Sequence, residues 1–337
     1  MSLTVWSNHT LRPAADALFR KSLEELGCRL IQSTRSSKSV LSQGESDPIL
    51  AEADVAYGQP APGDVITTPG IRWLSLSTAG YTRYDSPDFR KAMLDRGTLV
   101  TNASGVFANP CAEHALAMMM AFTRQIPSNV LNGIGPREWR YLEGRYSIEL
   151  LTGSTVMILG YGAIGRRLTE LLAPFRCRVV GVRRTPIPEP GVEVVSFEEA
   201  PALLSEARHV VNCLPEAEFT RGWCGAGFFS RMASGSYFHN VGRGTTVNQE
   251  ALAAALSSGH LGGAFLDTLD PEPLPPDHFL WRTPRCHITP HLAGGHRGQD
   301  ESLVNHFIGN LRRHLVGEPL VDRILERGAW SPEAAES

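Results

Sequence analysis

The chain has 337 residues, enough for two ordinary domains rather than one. Hydrophobic residues make up 42% and charged residues 20%, which fits a globular chain able to bury sizeable cores. Lys and Arg number 32 against 35 Asp and Glu, a formal charge of -3 that argues against a dedicated nucleic-acid surface. An anion pocket made by two or three arginines stays open. The longest apolar run, residues 115–122, is far short of the roughly 20 residues of a membrane span. The opening Met-Ser-Leu-Thr-Val-Trp lacks a basic start and an apolar stretch, so no signal peptide is expected and a cytoplasmic location is.

Short β-rich runs alternate with helical runs, the signature of parallel sheets covered by helices. Strands are expected at 3–7, 28–32, 53–57, 73–77 and 98–101, with a helix of 3.6 period over 14–26. Asn109-Pro110 then reads as a helix start, because Asn can cap and Pro fits the first helical position. The helix expected over 110–124 is apolar nearly all round, which predicts burial between domains or subunits. Its Met stripe reads as core rather than cofactor contact. A second series of strands is expected at 155–159, 178–182, 209–214, 236–240, 263–267 and 286–289. Six such strands with helices between them suggest a complete doubly wound nucleotide-binding domain. A last helix is expected over 299–315, and residues 331–337 read as a disordered tail.

The six cysteines, Cys28, Cys111, Cys177, Cys213, Cys224 and Cys286, form no C-x-x-C pair. Reduced, buried thiols are the expectation. Cys286-His287 has no partners at metal-ligand spacing, so no metal site is expected.

The strand at 155–159 runs into Gly160-Tyr161-Gly162-Ala163-Ile164-Gly165, a G-x-G-x-x-G loop. Gly160 permits a tight turn, Gly162 lets a pyrophosphate approach the backbone, and Gly165 permits close packing of helix on strand. The helix that follows puts Ile164, Leu168, Leu171 and Phe175 on one face and offers its N-terminal N–H groups to phosphate. A second strand follows at the expected distance, so the loop predicts dinucleotide binding. That strand ends in Arg183-Arg184-Thr185, where an acid for the adenosine ribose would be expected. An acid would repel a 2′-phosphate and two arginines would attract it. NADP(H) is therefore the expected cofactor, with NAD(H) the alternative if the arginines are merely solvated beside the adenine.

Three later segments place polar groups at strand ends, where such sheets bind ligands. They are Asn240-Val241-Gly242-Arg243-Gly244, Asp267 through Glu272-Pro273, and Thr289-Pro290-His291. An arginine can hold a carboxylate through two parallel hydrogen bonds. A histidine can move a proton near neutral pH, and a glutamate beside it can orient the ring. Hydride transfer to a ketone needs such a proton donor and a cation near the developing oxyanion.

With these four motifs in order, the chain resembles the D-isomer-specific 2-hydroxyacid dehydrogenases over nearly its whole length. The separations are 24 residues from Arg243 to Asp267, 29 from Arg243 to Glu272 and 19 from Glu272 to His291. The resemblance implies an α/β architecture with a doubly wound Rossmann nucleotide-binding domain, residues 102–291. That domain would be inserted into a smaller flavodoxin-like substrate domain, residues 1–101 and 292–337. It implies that Arg243 holds the substrate carboxylate and polarises its carbonyl, with His291 as general acid/base and Glu272 as its partner. Asp267 would lie near the nicotinamide carboxamide, Leu214-Pro215 near the adenine, and Val241 among the cofactor contacts. Ala79 and Gly80 would bind the carboxylate through backbone N–H groups. Ala112-Glu113 match the pair that opens the domain-connecting helix. Tyr57, Gly58, Tyr81 and Trp139 are pocket candidates. Trp139 also reads as dimer packing, since related reductases extend an arm there into the partner subunit. A homodimer is implied.

Three features depart from the family pattern. His296 has no assignable role, Cys111 stands where a hydroxyl or small apolar residue is expected near the nicotinamide, and the Arg183-Arg184 pair replaces the acid. The expected reaction is hydride transfer between the nicotinamide and C2 of a small 2-oxo or 2-hydroxy acid held between the domains. Glyoxylate, hydroxypyruvate and pyruvate lead, because no added regulatory domain like that of some phosphoglycerate dehydrogenases is seen. The alternatives are a cofactor-sensing, corepressor-like binding protein and a phosphite- or phosphoglycerate-type dehydrogenase of the same fold. A formate enzyme is disfavoured, because it pairs its histidine with glutamine. Neither nucleic acid nor membrane is an expected partner.

Overall fold

The computed structural model describes residues 2–37 and 44–325, so the tail expected at 331–337 lies outside the described residues. The chain divides into two compact units, Met1–Phe107 with His296–Ser337, and Ala108–Gly295.

The first unit opens with β1 (Thr4–His9), α1 (Pro13–Glu25), β2 (Arg29–Ser37), β3 (Val55–Gly58), α2 (Pro62–Thr67), β4 (Trp73–Leu76), α3 (Pro87–Arg96) and β5 (Leu99–Thr101). The strands pair in parallel in the order β2-β1-β3-β4-β5, the flavodoxin-like arrangement. Strands β3 and β4 are buried at every position, as parallel strands covered on both faces must be. Pro13, Pro62 and Pro87 each stand at a helix start, where a missing N–H has no cost. Ser86 caps α3 by accepting from the Phe89 N–H, and Gly97 ends it at φ 70°.

One face of this sheet buries Trp6, Leu74, Phe89, Met93 and Val100. The other buries Phe19, Tyr57, Trp73, Phe307 and Leu311. Tyr57, expected in a substrate pocket, is thus a core residue. It is 1% exposed and its ring stacks on Phe307 at 4.3 Å. The strand turns this side chain inward beneath the helices, so it lines no surface.

The boundary between the units falls within α4 (Ser104–Thr123). The helix was expected to begin at Asn109-Pro110 and begins at Ser104 instead. Asn102 Oδ1 accepts from the Ser104 N–H at 3.2 Å and supplies a cap upstream. Pro110 lies inside the helix. Met118 and Met119 are buried, as a core stripe should be, and Phe122 packs on Tyr237 and Phe265 within the second unit.

The second unit continues with α5 (Ile126–Ile134), α6 (Tyr141–Ser147), β6 (Thr155–Leu159), α7 (Ala163–Leu172), β7 (Arg178–Val182), β8 (Glu193–Val195), α8 (Ala200–Leu203), β9 (His209–Asn212), α9 (Ala226–Arg231), β10 (Tyr237–Asn240), α10 (Gln249–Ser257), β11 (Gly263–Leu266) and β12 (Cys286–Ile288). The seven strands run parallel in the order β12-β11-β10-β9-β6-β7-β8. All six expected strands are present, and the seventh, β8, is an addition. The order reverses between β6 and β9, the switch point at which doubly wound sheets bind nucleotides. Helices α5 and α6 bury no residue, and the loop between them carries Trp139 at 93% exposure. The chain then returns to the first unit through α11 (Gln299–Val316), whose Phe307 packs edge-on against Phe19. All six cysteines are free. Among the described residues no helix is long and apolar enough to cross a membrane.

Candidate active site

The glycine loop lies at the switch point. Gly160 has φ +77°, and a Cβ there would stand 2.8 Å from the Cys213 carbonyl oxygen, so turn and packing both demand glycine. The Gly160 and Tyr161 N–H groups both donate to the Val182 carbonyl, at 3.0 and 2.9 Å, which ties the loop to β7. A Cβ on Gly162 would meet nothing nearer than 3.9 Å, so its open side admits a ligand to the backbone. On Gly165 a Cβ would lie 3.0 Å from the Tyr161 ring, which fixes how closely α7 sits on the sheet. The first bond within α7 runs from the Arg166 N–H to the Gly162 carbonyl at 2.9 Å. The N–H groups of Ala163, Ile164 and Gly165 therefore have no acceptor within the helix. This cradle fits a dinucleotide pyrophosphate. Tyr161 offers it neither ring nor N–H: the ring is 3% exposed and its hydroxyl donates to Thr169 at 3.2 Å.

The end of β7 is tied to β8 by the Arg183 N–H, which donates to the Val195 carbonyl at 3.1 Å. Arg183 Nη1 is buried without a hydrogen-bond partner and lies 3.6 Å from Glu189 Oε1. Arg184 and Thr185 are exposed, and the Arg184 guanidinium stands 5.7 Å over the Phe219 ring. Leu214 is buried and Pro215 exposed at the end of β9. Val241 is buried, and its N–H donates to the Asn212 carbonyl at 3.0 Å.

Buried asparagines organise the loops after β9 and β10. Asn212 Nδ2 donates to Asn240 Oδ1 at 3.0 Å and to Thr246 Oγ1 at 2.7 Å. Asn240 Nδ2 reaches the Thr268 carbonyl at 3.0 Å and the Arg243 carbonyl at 3.3 Å. Thr246 Oγ1 also donates to the Arg243 carbonyl at 2.7 Å, so the Arg243 backbone is held from two sides. A Cβ on Gly244 would fall 1.9 Å from the Leu269 backbone, so any other residue would push the Arg243 loop off the Asp267–Glu272 segment. Among the described residues no carboxylate lies within ion-pair distance of Arg243. Its side chain donates from Nη1 to the Gly242 carbonyl at 2.7 Å.

Asp267 is buried, and both carboxylate oxygens accept from the loop after β12. Thr289 Oγ1 donates at 2.6 Å, the Leu292 N–H at 2.8 Å and the Ala293 N–H at 2.9 Å. The His291 N–H donates to the Asp267 carbonyl at 2.8 Å. Asp267 thus clamps the segment that carries His291, which has φ 53°. His114 Nε2, on α4, approaches Thr289 Oγ1 at 3.3 Å. Gln249 bonds the Asp270 backbone and steadies the turn before Glu272.

His291 Nδ1 lies 2.8 Å from Glu272 Oε2, and Glu272 Oε1 accepts from the Leu269 N–H at 2.8 Å. Burial pushes the Glu272 carboxyl up, yet the bonds from His291 and Leu269 and the charges of His291 and Arg243 bring it below its usual range. The group is then ionised and can only accept, so the shared proton sits on Nδ1 and Nε2 is free for a ligand. Its contribution to stability is present above the unfolded value of about 4.3 and is lost as pH falls through the lower folded value. Cys111, on α4, is buried. Burial pushes its thiol up to about 12, with Asp267 adding to the shift and Arg243 opposing it. It is therefore an unreactive thiol.

In the first unit, Ala79 and Gly80 follow β4. The Thr78 carbonyl accepts from the Ala103 N–H at 2.9 Å, the Ala79 carbonyl from Asn102 at 2.7 Å, and the Gly80 carbonyl from Thr78 Oγ1 at 2.7 Å. Every carbonyl of this turn is thus engaged within the first unit. Gln59, buried, donates to Thr78 Oγ1 at 3.1 Å and supports the turn. Gly58 is buried beside Asn8, and Tyr81 is half-buried. Asn212, Thr246, Gln249, His114, Asn102 and Gln59 escaped the sequence reading. Their one signal is a polar residue at or near the end of an otherwise apolar run, which must find a partner when buried.

Residues 116–293 match the family described as D-isomer specific 2-hydroxyacid dehydrogenase, NAD binding domain. A human glyoxylate reductase/hydroxypyruvate reductase is 34% identical over 232 residues, 67% of this chain and 69% of the relative. The mouse glyoxylate reductase/hydroxypyruvate reductase is 33% identical over 256 residues, 74% and 76% of the two chains. A D-isomer specific 2-hydroxyacid dehydrogenase from Xanthobacter autotrophicus Py2, solved in complex with NADPH and MES, superposes with a TM-score of 0.80. It is 26% identical, and the match covers 98% of this chain and all of that one.

Proposed function

This chain belongs to the D-isomer-specific 2-hydroxyacid dehydrogenases, NAD(P)-dependent oxidoreductases, and we propose that it is an NADPH-preferring reductase of small 2-oxo acids such as glyoxylate and hydroxypyruvate. The observation that carries the reading is the His291–Glu272 pair at 2.8 Å, in the same unit as the glycine cradle and an arginine without a carboxylate partner. The unit Ala108–Gly295 is the proposed nucleotide-binding body, and the other unit is the proposed donor of the carboxylate-binding turn at Ala79 and Gly80.

A reduced nicotinamide dinucleotide held at the glycine cradle would supply the hydride for C2 of the oxo acid. Arg243 receives the substrate carboxylate on its fork and polarises the carbonyl. The N–H groups of Ala79 and Gly80 are the proposed carboxylate donors of the first unit. His291 gives the proton on Nε2 to the carbonyl oxygen while Nδ1 stays on Glu272. Glu272 stabilises the imidazolium before that transfer, and Asp267 keeps the ring's loop in place. Leu214, Pro215 and Val241 are proposed walls of the nucleotide site. The N–H groups of Ala163, Ile164 and Gly165, beside the open Gly162, would hold the pyrophosphate, and Arg183, Arg184 and Thr185 would meet the 2′-phosphate.

A homodimer is the proposed assembly; Ile134, Trp139, Leu142 and Tyr146 are large apolar residues left exposed on and between α5 and α6, the kind that a second copy would cover. The cytoplasm is the proposed compartment, in keeping with six free thiols. Fluorescence titration tests the cofactor preference. NADPH is expected to bind about 10- to 100-fold more tightly than NADH, the worth of one or two charged hydrogen bonds. Equal dissociation constants would refute the preference.

A further inference from the structure

The loop between β7 and β8 carries a carboxylate in the middle of the arginines at the adenosine end. Glu189 Oε1 accepts from Arg166 Nε at 2.8 Å and Nη2 at 2.7 Å. The same oxygen lies 3.6 Å from Arg183 Nη1, which is buried and has no hydrogen-bond partner. Arg166 follows the last glycine of the cradle, and Arg183 stands at the end of β7, so the three side chains join the cradle to the adenosine end. One oxygen thus faces two guanidinium groups, the donors that a phosphate monoester would need. The bond from Arg166 holds the Glu189 carboxyl below its usual range, against a smaller effect of burial, and the charges of Arg166 and Arg183 add to it. Glu189 is therefore ionised at neutral pH and cancels one of the two positive charges.

We propose that Glu189 is a specificity-determining residue, an internal acid that competes with a 2′-phosphate for Arg166 and Arg183 and so narrows the discrimination between NADPH and NADH. The inference rests on the NADPH reading above and goes beyond it. A 2′-phosphate brings roughly -1.5 to -2 charges to the place where a fixed carboxylate already stands. A ligand without that phosphate meets no such repulsion. Glu189 also leaves the chain with an acid near the ribose end although Arg183 has replaced the usual one.

Calorimetric titration of the full-length protein with adenosine 2′,5′-bisphosphate and with adenosine 5′-monophosphate tests the proposal without turnover. Glu189→Gln keeps an acceptor for Arg166 and removes the charge. It is expected to tighten binding of the bisphosphate about 5- to 20-fold, the effect of removing one like charge at close range, with the monophosphate changed less than about twofold. Glu189→Asp keeps the charge and is expected to behave as the wild type. A purely structural role would instead make Gln and Asp weaken both ligands alike. Bisphosphate binding that is unchanged or weaker in Glu189→Gln overturns the proposal. Arg183→Ala separates the two failures. If it weakens the bisphosphate while Glu189→Gln has no effect, the NADPH reading stands and the role of Glu189 falls. If Arg183→Ala and Arg184→Ala both leave the bisphosphate unaffected, the NADPH reading itself falls, and the proposal with it.

Discussion

Replacing His291 with Asn is expected to lower kcat by about 10²- to 10⁴-fold, the range that a positioned general acid supplies. Asn is the informative choice because position 291 has φ 53°, and Asn adopts that left-handed conformation most readily among residues with a side chain. The loop is held by its backbone and by Asp267, through bonds to Thr289, Leu292 and Ala293 that the substitution leaves in place. Loss of turnover would then report the imidazole and not a collapsed loop. NADPH affinity should stay close to wild type, because the glycine cradle takes no contact from this histidine. Steady-state kinetics with a thermal-unfolding control measure the effect. A folded His291→Asn protein keeping more than about a tenth of wild-type turnover would remove His291 from the mechanism.

The second large effect is expected at Arg243. Arg243→Ala should reduce kcat/KM by about 10²- to 10⁴-fold, combining a lost charged fork on the carboxylate with a lost cation at the developing oxyanion. Arg243→Lys should recover only part of this, since an ammonium supplies charge without the two parallel donors. The backbone here is extended, at φ -138° and ψ 142°, which Ala adopts without strain. The bonds from Asn240 and Thr246 go to the main-chain carbonyl and survive the change. The side chain itself bonds the Gly242 carbonyl, so stability should change little. Kinetics with each variant at saturating NADPH measure it, and a kcat/KM within threefold of wild type for Arg243→Ala would contradict the assignment.

The glycine loop was legible in the sequence because sterics write it there. A turn at φ +77° against the Cys213 backbone, and a helix pressed on Tyr161, admit glycine almost alone. The strands of both sheets were legible as short apolar runs between turn residues. Strand β8 was not, because it has three residues and only Val195 is buried. The start of α4 was misplaced because Pro110 resembles a first-turn proline, whereas the cap comes from Asn102, eight residues earlier. Tyr57 was misread because β3 is buried on both faces, which leaves no alternation to tell core from surface. At the site, the spacing of Arg243, Glu272 and His291 announced a reaction set, and the structure brings Glu272 and His291 into contact. Spacing could not say that Asp267 spends both oxygens on the loop after β12. Nor could it say that Glu189 lies against Arg166 and Arg183. Both depend on how loops fold back over strand ends, for which local sequence carries no period.

The central claim is that this chain reduces small 2-oxo acids, and the most direct test is NADPH oxidation by the wild-type protein with glyoxylate and with hydroxypyruvate. Saturable turnover with at least one of them, yielding the D-hydroxy acid where the product is chiral, is the predicted result. Tight NADPH binding with no turnover on either acid would contradict it and would favour a cofactor-sensing protein.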